Sequence, residues 1–504
     1  MRRPLLFFSL SCCLSATAIA QPNQTSPWHA SIGVQGIATN KDNVPFWMRS
    51  MQYGSVPLPG ASGSFIGAAR KDYDPNAGLA DWGGAIEIRA DVGDSSRLTL
   101  IQGYIKARFS IFEFKAGRSR EFTGLVDSTL SSGAYSISGN ALGIPKVQLA
   151  IPEYFPLPIF GGLFAFKGTF SYGWLGNEPL QYTQYASNVK GNYHELSFYG
   201  RLGKPNWRLK LYGGLNHQAM WGDEKTVYGP HYQISKVKEF EYVVLGKTYL
   251  GSKIGNHIGS IDMGLDYDLG GARLSFYRQN FYDEGALSKL ANIADGLNGI
   301  SLTNTKDVDQ GDVPDYYPVL GSPNSGFHWR KIVLEVFYSK NQAGYPWSKP
   351  TNSGDENYYN NFEYYNGWSY KGLGLGNPFV TPAYTTRKGL PNSRGDYFNN
   401  NRVMAFYGAI QAVAGDYSFT AKGSYSMNYG TFGTSPWGHT TGSPANYTPV
   451  PKYNWFPEAK QFSAYLDVTR RLEEGWTVGC TAAFDRGDLF YNSYGLILSV
   501  KKDL

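Results

Sequence analysis

Apolar and polar residues alternate one by one along much of this chain, the two-residue period of an extended strand with unlike faces. From 86 to 92, Ile86, Ile88, Ala90 and Val92 stand on one side and Glu87, Arg89 and Asp91 on the other. Ile261, Met263, Leu265, Tyr267 and Leu269 alternate with Asp262, Gly264, Asp266 and Asp268, and Gly270-Gly271 then supplies a tight turn into a strand over 272–277. Tyr417, Phe419, Ala421, Gly423, Tyr425 and Met427 point away from Ser418, Thr420, Lys422, Ser424, Ser426 and Asn428. The same reading predicts strands over 98–116, 146–152, 164–174, 195–202, 208–215, 332–338, 403–413, 462–469, 476–484 and 494–500. Trp174, Trp476 and Tyr494 fall near strand ends, where the aromatic girdles of a membrane barrel belong.

Two architectures use such strands. A soluble sandwich turns its charged face to water, whereas a membrane barrel turns its apolar face to lipid and its charges to the lumen. Composition and the N-terminus favour the barrel. Aromatic residues make up 16% of the 504 residues, 60 are Gly, and only 17% are charged, against about 25% charged in an ordinary domain. Residues 1–20 read as a signal peptide: Arg2 and Arg3, an apolar run over 5–14, then Ala18-Ile19-Ala20 before Gln21. Cys12 and Cys13 lack a lipoprotein context and leave with that peptide, so Cys480 remains alone and no internal disulfide is expected. No later run of 18 or more apolar residues provides a membrane helix. Residues 21–504 form a single domain with room for roughly 16 to 18 barrel strands. A double sandwich or propeller would show a blade-length repeat or a linker, and neither is visible. The net charge of +6 is spread thinly, which excludes a nucleic-acid partner.

Counting strands back from the C-terminus, with both chain ends periplasmic, places the connections 340–401, 429–460 and 485–493 outside the cell. It makes 415–416 and 471–475 short inner turns, and it puts 283–328 inside. Within the longest outer connection, 355–379 fits neither a helix nor a strand. It sets Tyr358, Tyr359, Tyr364, Tyr365, Trp368 and Tyr370 among Asn357, Asn360, Asn361, Asn366 and Asn377, with Gly367, Gly372, Gly374 and Gly376 interrupting regular structure. Aromatic faces beside amides recognise sugars or bases; the plainer reading is an ordered loop whose rings pack on one another.

Catalytic constellations are missing. His194-Glu195 and His217 lack the paired spacing of a zinc hydrolase, and no Gly-x-Ser-x-Gly elbow offers a serine nucleophile. Asp307, Asp309, Asp312 and Asp315 around Gly311 have the look of a calcium loop, but Pro318 stands where the closing Glu belongs. The Arg-Gly-Asp tripeptides at 394–396 and 486–488 sit where turns are expected anyway. No enzyme activity, cofactor or metal is therefore expected. Glu87, Arg89, Asp91, Asp262, Asp266 and Asp268 either line a pore or hold a plug in register.

Several pieces, in order, resemble the Wzi-type capsule assembly family. They are Asn43-Val44-Pro45-Phe46-Trp47-Met48-Arg49 with Gln52-Tyr53-Gly54, Ser138-Gly139-Asn140-Ala141, His217-Gln218-Ala219-Met220-Trp221-Gly222, Arg278-Gln279-Asn280-Phe281 with Asp295-Gly296-Leu297, and the tyrosine-rich stretch ending Gly376-Asn377-Pro378-Phe379. The chain departs from most outer-membrane barrels in ending Lys501-Lys502-Asp503-Leu504 rather than on an aromatic residue. The resemblance implies an all-β fold: a transmembrane antiparallel β-barrel of about 18 strands in the cell outer membrane, with long outer loops and a small helical element on the periplasmic side. It implies a lectin-like, non-enzymatic function, tethering exported capsular or other surface polysaccharide, with outer-membrane lipid as the second partner. Tyr364, Tyr365, Trp368 and Tyr370 are the candidate polysaccharide-binding rings. The alternative reading is an outer-membrane channel for small solutes or sugars.

Overall fold

The computed structural model describes residues 26–504 apart from 94–95, 250, 284, 307–325 and 443–445. The expected signal peptide and the acidic stretch at Asp307, Asp309, Asp312 and Asp315 lie outside these residues. The alternating segments form one 18-stranded sheet. Its strands are β1 (Trp28–Thr39), β2 (Ser62–Lys71), β3 (Ala80–Gly93), β4 (Arg97–Phe109), β5 (Phe112–Arg118), β6 (Lys146–Pro156), β7 (Phe164–Pro179), β8 (Asn188–Leu202) and β9 (Leu209–Trp221). They continue as β10 (Asn256–Asp268), β11 (Ala272–Tyr282), β12 (Gly296–Asn304), β13 (Phe327–Tyr338), β14 (Val403–Ala414), β15 (Tyr417–Asn428), β16 (Ala459–Arg471), β17 (Trp476–Gly487) and β18 (Ser493–Asp503). Each strand pairs antiparallel with the next, and β1 pairs with β18 from Ser31↔Asp503 to Thr39↔Gly495, which closes the barrel. Closure leaves no sheet edge with unpaired N–H and C=O groups, the condition for crossing a lipid layer with strands.

Side-chain facing identifies the environment. Ile86, Val92, Phe198, Leu215, Ile261, Met263, Leu334 and Leu466 are exposed, while Glu87, Arg89, Asp91, Glu195, Asp262 and Glu335 are buried. On β15 Tyr417 and Tyr425 are exposed and Ser418, Ser424 and Ser426 are buried. Apolar outside and charged inside is the reverse of a soluble sandwich, so the wall is that of an outer-membrane barrel. Trp28, Trp82, Trp207 and Trp476 are exposed toward the end with short turns, and Trp174 and Tyr494 toward the end with long loops.

Three expectations need correction. The span 98–116 is two strands joined at 110–111, and β1, β2 and β12 carry too many small or polar residues to alternate cleanly. Because β12 divides 283–328, β11 ends and β12 begins at the long-loop end, whereas β12 ends and β13 begins at the periplasmic end, where β1 begins and β18 finishes. The α-helices α1 (Phe46–Arg49), α2 (Glu224–Tyr228) and α3 (Lys236–Leu245) all belong to outer connections. Toward the periplasm the described residues carry just the one-turn 3-10 helix Glu473–Gly475.

The lumen is occupied. Segment 119–145 folds inward, with Leu130, Ala134, Tyr135, Ser136 and Ser138 essentially without solvent contact. Lumen charges hold it. Lys146 bridges Glu121 (2.7 Å) and Glu195 (2.5 Å), Lys331 pairs with Asp127 (2.8 Å), and Asp262 accepts from the Leu125 N–H (2.8 Å). Glu335 accepts from Ser131 Oγ and the Ser132 N–H (2.6 and 2.7 Å). Helix α1 enters from the first outer connection: Asp485 accepts from the Phe46 N–H (2.8 Å), and Trp47 Nε1 donates to Ser424 Oγ (2.9 Å). Arg89 and Arg97 both pair with Asp91 (2.7 and 3.0 Å), and Arg97 also donates to the Ser55 carbonyl of that connection (2.6 Å).

The facing can be tested in mid-wall. Ile410 faces outward, whereas its neighbour Gln411 lines a small internal cavity with Thr420 and Asp467. Ile410→Arg should cost assembly about 2 to 4 kcal/mol, the penalty of a cation near the bilayer midplane. Gln411→Arg, placed beside a carboxylate, should be tolerated. The heat-modifiable fraction recovered from outer membranes measures both, and the reverse order would invert the wall.

Candidate functional site

The stretch 355–379 caps the plug. Tyr358 Oη donates to Asp295 Oδ2 (2.8 Å), Trp368 Nε1 donates to the Ser136 carbonyl (2.8 Å), and Ser138 Oγ donates to the Gly376 carbonyl (2.6 Å). Tyr359 Oη donates to the Tyr135 carbonyl and accepts from the Asn377 N–H. A Cβ at Gly376 would collide with that same Tyr135 carbonyl, so this glycine is what lets the cap settle on the plug. Below it Tyr135 stacks on Phe281 with centroids 4.0 Å apart.

The four candidate rings divide accordingly. Trp368 (0% exposed), Tyr370 and Tyr364 are buried, and Tyr365 is 47% exposed. Tyr370 Oη accepts from Arg118 Nη2 (2.8 Å), and Tyr364 Oη donates to Glu224 Oε1 (2.8 Å). Tyr365 meets Tyr397 edge to face at 6.1 Å, and Tyr397 in turn meets Tyr384 at 6.3 Å. Tyr384 and Tyr397 both donate to the Gly372 carbonyl (2.6 and 2.9 Å), which fixes their rings.

Further rings extend this surface. Phe362, 71% exposed, stacks on Tyr182 at 5.5 Å and 12°. The connection carrying Tyr182 is laced to the cap: the Gln181 N–H donates to the Glu363 carbonyl (2.8 Å), Gln181 Nε2 to the Asn361 carbonyl (2.7 Å), and Tyr182 Oη to the Arg394 carbonyl (3.3 Å). Two aromatic groups thus share this surface, Tyr182 with Phe362 and Tyr365 with Tyr384 about the half-buried Tyr397, and the short step from 362 to 365 joins them into one aromatic band. Sequence reasoning missed Tyr182, Phe362, Tyr384 and Tyr397. The tyrosine pair in the short connection 180–187 was the available signal.

Charge on this surface is sorted by depth. The connection 339–402 holds four acids, and each is turned inward. Asp355 accepts from His439 Nδ1 and the Thr440 N–H (2.9 and 2.7 Å), and Asp396 accepts from Thr431 and Asn357 (2.8 and 2.9 Å). Glu356 accepts from the N–H groups of Asp283, Gly285 and Ala286, and half-buried Glu363 from Tyr228 Oη. Lys349, Lys371, Lys388 and Arg394 are exposed. Burial would lower His439, but its bonds and ion pairs with Asp355 and Asp396 push it up to about 10, so it stays a cation between them. Exposed rings and cations therefore share this face; among the described residues no group of three His, Cys, Asp or Glu could hold a metal ion.

One seam of the site is pH-dependent. Burial first, and then the nearby Glu224 carboxyl, push Glu363 up to about 8, and burial likewise raises Glu224. A carboxyl raised in the folded state adds stability that is complete below its ordinary unfolded value and is lost as the pH rises through about 8. Amide exchange at 222–228 and 361–365, corrected for intrinsic rate, should therefore accelerate as the pH rises from about 5 to about 8 and level off above that. Glu363→Gln should flatten that dependence, and an unchanged profile would remove Glu363 as its source.

No family model matches the sequence, and no curated protein sequence matches it. Among solved structures the chain is similar to Wzi of Escherichia coli, described as an outer membrane protein involved in group 1 capsule assembly and a carbohydrate-binding β-barrel. That likeness covers 93% of this chain and 83% of that one, at 11% identity and a TM-score of 0.52. OccAB2 of Acinetobacter baumannii is matched over 95% of this chain and 98% of that one, at 10% identity and a TM-score of 0.44. OprD of Pseudomonas aeruginosa is matched over 95% of both, at 9% identity and 0.43. At such identities the likeness is one of fold, and it agrees with the sequence resemblance at that level: this chain has the outer-membrane β-barrel architecture that Wzi has.

Proposed function

We propose that this outer-membrane barrel binds exported capsular polysaccharide and tethers it at the cell surface, without cutting or making it. The observation that carries the reading is the exposed aromatic band, bordered by cations and free of exposed acids within its own connection, on top of a packed lumen. Each ring offers a face to the C–H side of a sugar, and a polymer repeats its weak contacts along its length, so many modest sites hold it firmly. The sequence resemblance to the Wzi-type family and the fold shared with a carbohydrate-binding barrel support the same reading. Of the four rings named from the sequence, we place Tyr365 against the polymer, beside Phe362, Tyr182 and Tyr384. Tyr364, Trp368 and Tyr370 contribute from beneath, by holding the connection that presents it.

Alanine at Phe362 or Tyr365 should weaken capture of purified capsule by the folded barrel by about fivefold per ring, the equivalent of roughly 1 kcal/mol. Added salt should weaken capture of an anionic capsule further, since the cations are exposed, and leave capture of a neutral one unchanged. Trp368→Ala should instead disturb the cap, seen as faster amide exchange over 355–379. In planar bilayers the unmodified barrel should conduct poorly. Steady open-channel conductance with no capture of capsule would replace this reading with the channel.

A further inference from the structure

Residues 222–255 are built differently from the plug: they turn outward over the barrel wall. The facing of the strands beneath establishes this. Ser171, Glu195, Asn216 and Met220 point into the lumen, where Ser171 and Lys146 bond Glu195 and Asn216 bonds the plug residue Ser136. Their alternates Phe170, Tyr172, His194, Ala219 and Trp221 therefore point outward. Helix α3 lies on these outward side chains. Phe240 packs its ring 5.8 Å from each of Tyr172, His194 and Trp221, and Val243 is fully buried in one cluster with Ala219, Trp221 and Ile254. Ser235 caps the helix by accepting from the Lys238 N–H, and Gly246 ends it in the left-handed conformation.

What α3 covers fixes its height. His217 and His257 stand on the outer face of β9 and β10, linked in a file: Tyr282 Oη to His217 Nδ1 (2.9 Å), His217 Nε2 to His257 Nδ1 (3.2 Å), and His257 Nε2 to the Ile254 carbonyl (2.7 Å). Imidazoles against acyl chains would be costly, whereas under a helix their hydrogen bonds are met. The next outward positions toward the periplasm, Leu215 on β9 and, beyond Gly259, Ile261 on β10, are exposed apolar side chains of the lipid-facing band. Helix α3 therefore rests on the upper rim of that band, where tails give way to headgroups.

Its free side matches such a place. Val237 is 82% exposed and Leu245 59%. Lys225, Lys236, Lys238 and Lys247 are exposed, while Glu224 and Glu239 are buried, bonded to Tyr364 and Tyr232. Asp223 is half-buried, and Glu241 is exposed but tied to Lys247 at 2.6 Å. A helix with apolar residues on its free side and exposed lysines that outnumber its exposed acids is the arrangement that lies in a membrane interface.

We propose that α3 is a lipid-phosphate site on the outside of the barrel, with Lys236 and Lys238 taking phosphate of an outer-leaflet lipid and Val237 and Leu245 entering its acyl region. This site is independent of polysaccharide binding. The test uses the full-length folded barrel with a fluorophore on Val237→Cys in a Cys480→Ser background. It is reconstituted in phosphatidylcholine vesicles that contain either bisphosphorylated lipid A or its dephosphorylated counterpart. Protection of the fluorophore from an aqueous quencher is expected with the phosphorylated lipid alone, and Lys236→Glu with Lys238→Glu should abolish it. Phosphorylated lipid A retained through detergent purification should fall at least about fivefold in that double variant, the factor that one lysine near an anionic surface carries. Heat-modifiability confirms that every variant is folded. Equal quenching in both vesicles, or protection that survives the double variant, overturns the proposal. Protection seen only in native outer membranes and in neither vesicle assigns the helix to a protein partner and also overturns it.

Discussion

Buried charge on the inner wall, answered from the plug, is the interaction on which the rest of the molecule rests. Lys146 is enclosed between Glu121 and Glu195, Glu335 spends both oxygens on a hydroxyl and an N–H of 119–145, and Asp262 Oδ2 accepts from the Leu125 N–H of the same segment. A charge held away from water is tolerable when its partners are in place and expensive when one is removed, by roughly 3 to 5 kcal/mol for a broken buried pair. Wall and plug therefore specify one another: the polar inner face that makes a barrel viable in lipid would be a liability in a dry lumen without the segment that satisfies it. The aromatic layer follows from this. Tyr135 is positioned by the plug, Tyr359 and Trp368 bond to carbonyls of the plug, and the exposed rings stand on them.

Much of this was legible in the sequence. Where one face is strongly apolar and the other strongly charged, as in Ile86 to Val92 or Ile261 to Leu269, a two-residue period has one extended solution, and those strands were read with their facing open and their existence plain. Strands such as β12, with Leu297 turned into the core and Gly299 and Ser301 beside it, gave no such contrast, so the count slipped there and one connection was assigned to the wrong side. Alternation also says nothing about which loops fold inward. The tyrosine-rich stretch has the composition of a recognition surface and of a packed cap, because the same rings serve both. What separates Tyr365 from Trp368, three residues on, is a carbonyl of Ser136 that approaches from 232 positions away. No local pattern carries that information.

The sorting of charge by depth recurs on both outer surfaces. On the cap, Asp355, Glu356 and Asp396 are drawn inward to orphan N–H groups, hydroxyls and His439, leaving lysines and arginines outside; on the outward connection, Glu224 and Glu239 are drawn inward to tyrosine hydroxyls. A net charge of +6 over the whole chain hides this. Both outer surfaces are more cationic than the composition, since the acids have structural work to do beneath them.

The closing seam between β1 and β18 has a consequence for how the molecule comes to exist. Tyr494 donates its N–H to Asn40 across 454 residues of intervening chain, and the whole β1–β18 ladder has similar separations. Loop closure over such a span is entropically late, and until it happens the sheet has two raw edges whose backbone groups lipid cannot satisfy. The barrel thus has no stable fraction of itself: seventeen strands in register are still an open, adhesive ribbon, and the final zipper is at once the slowest contact to find and the one that makes the product inert. A molecule with this topology needs escort up to its last pairing and none after it.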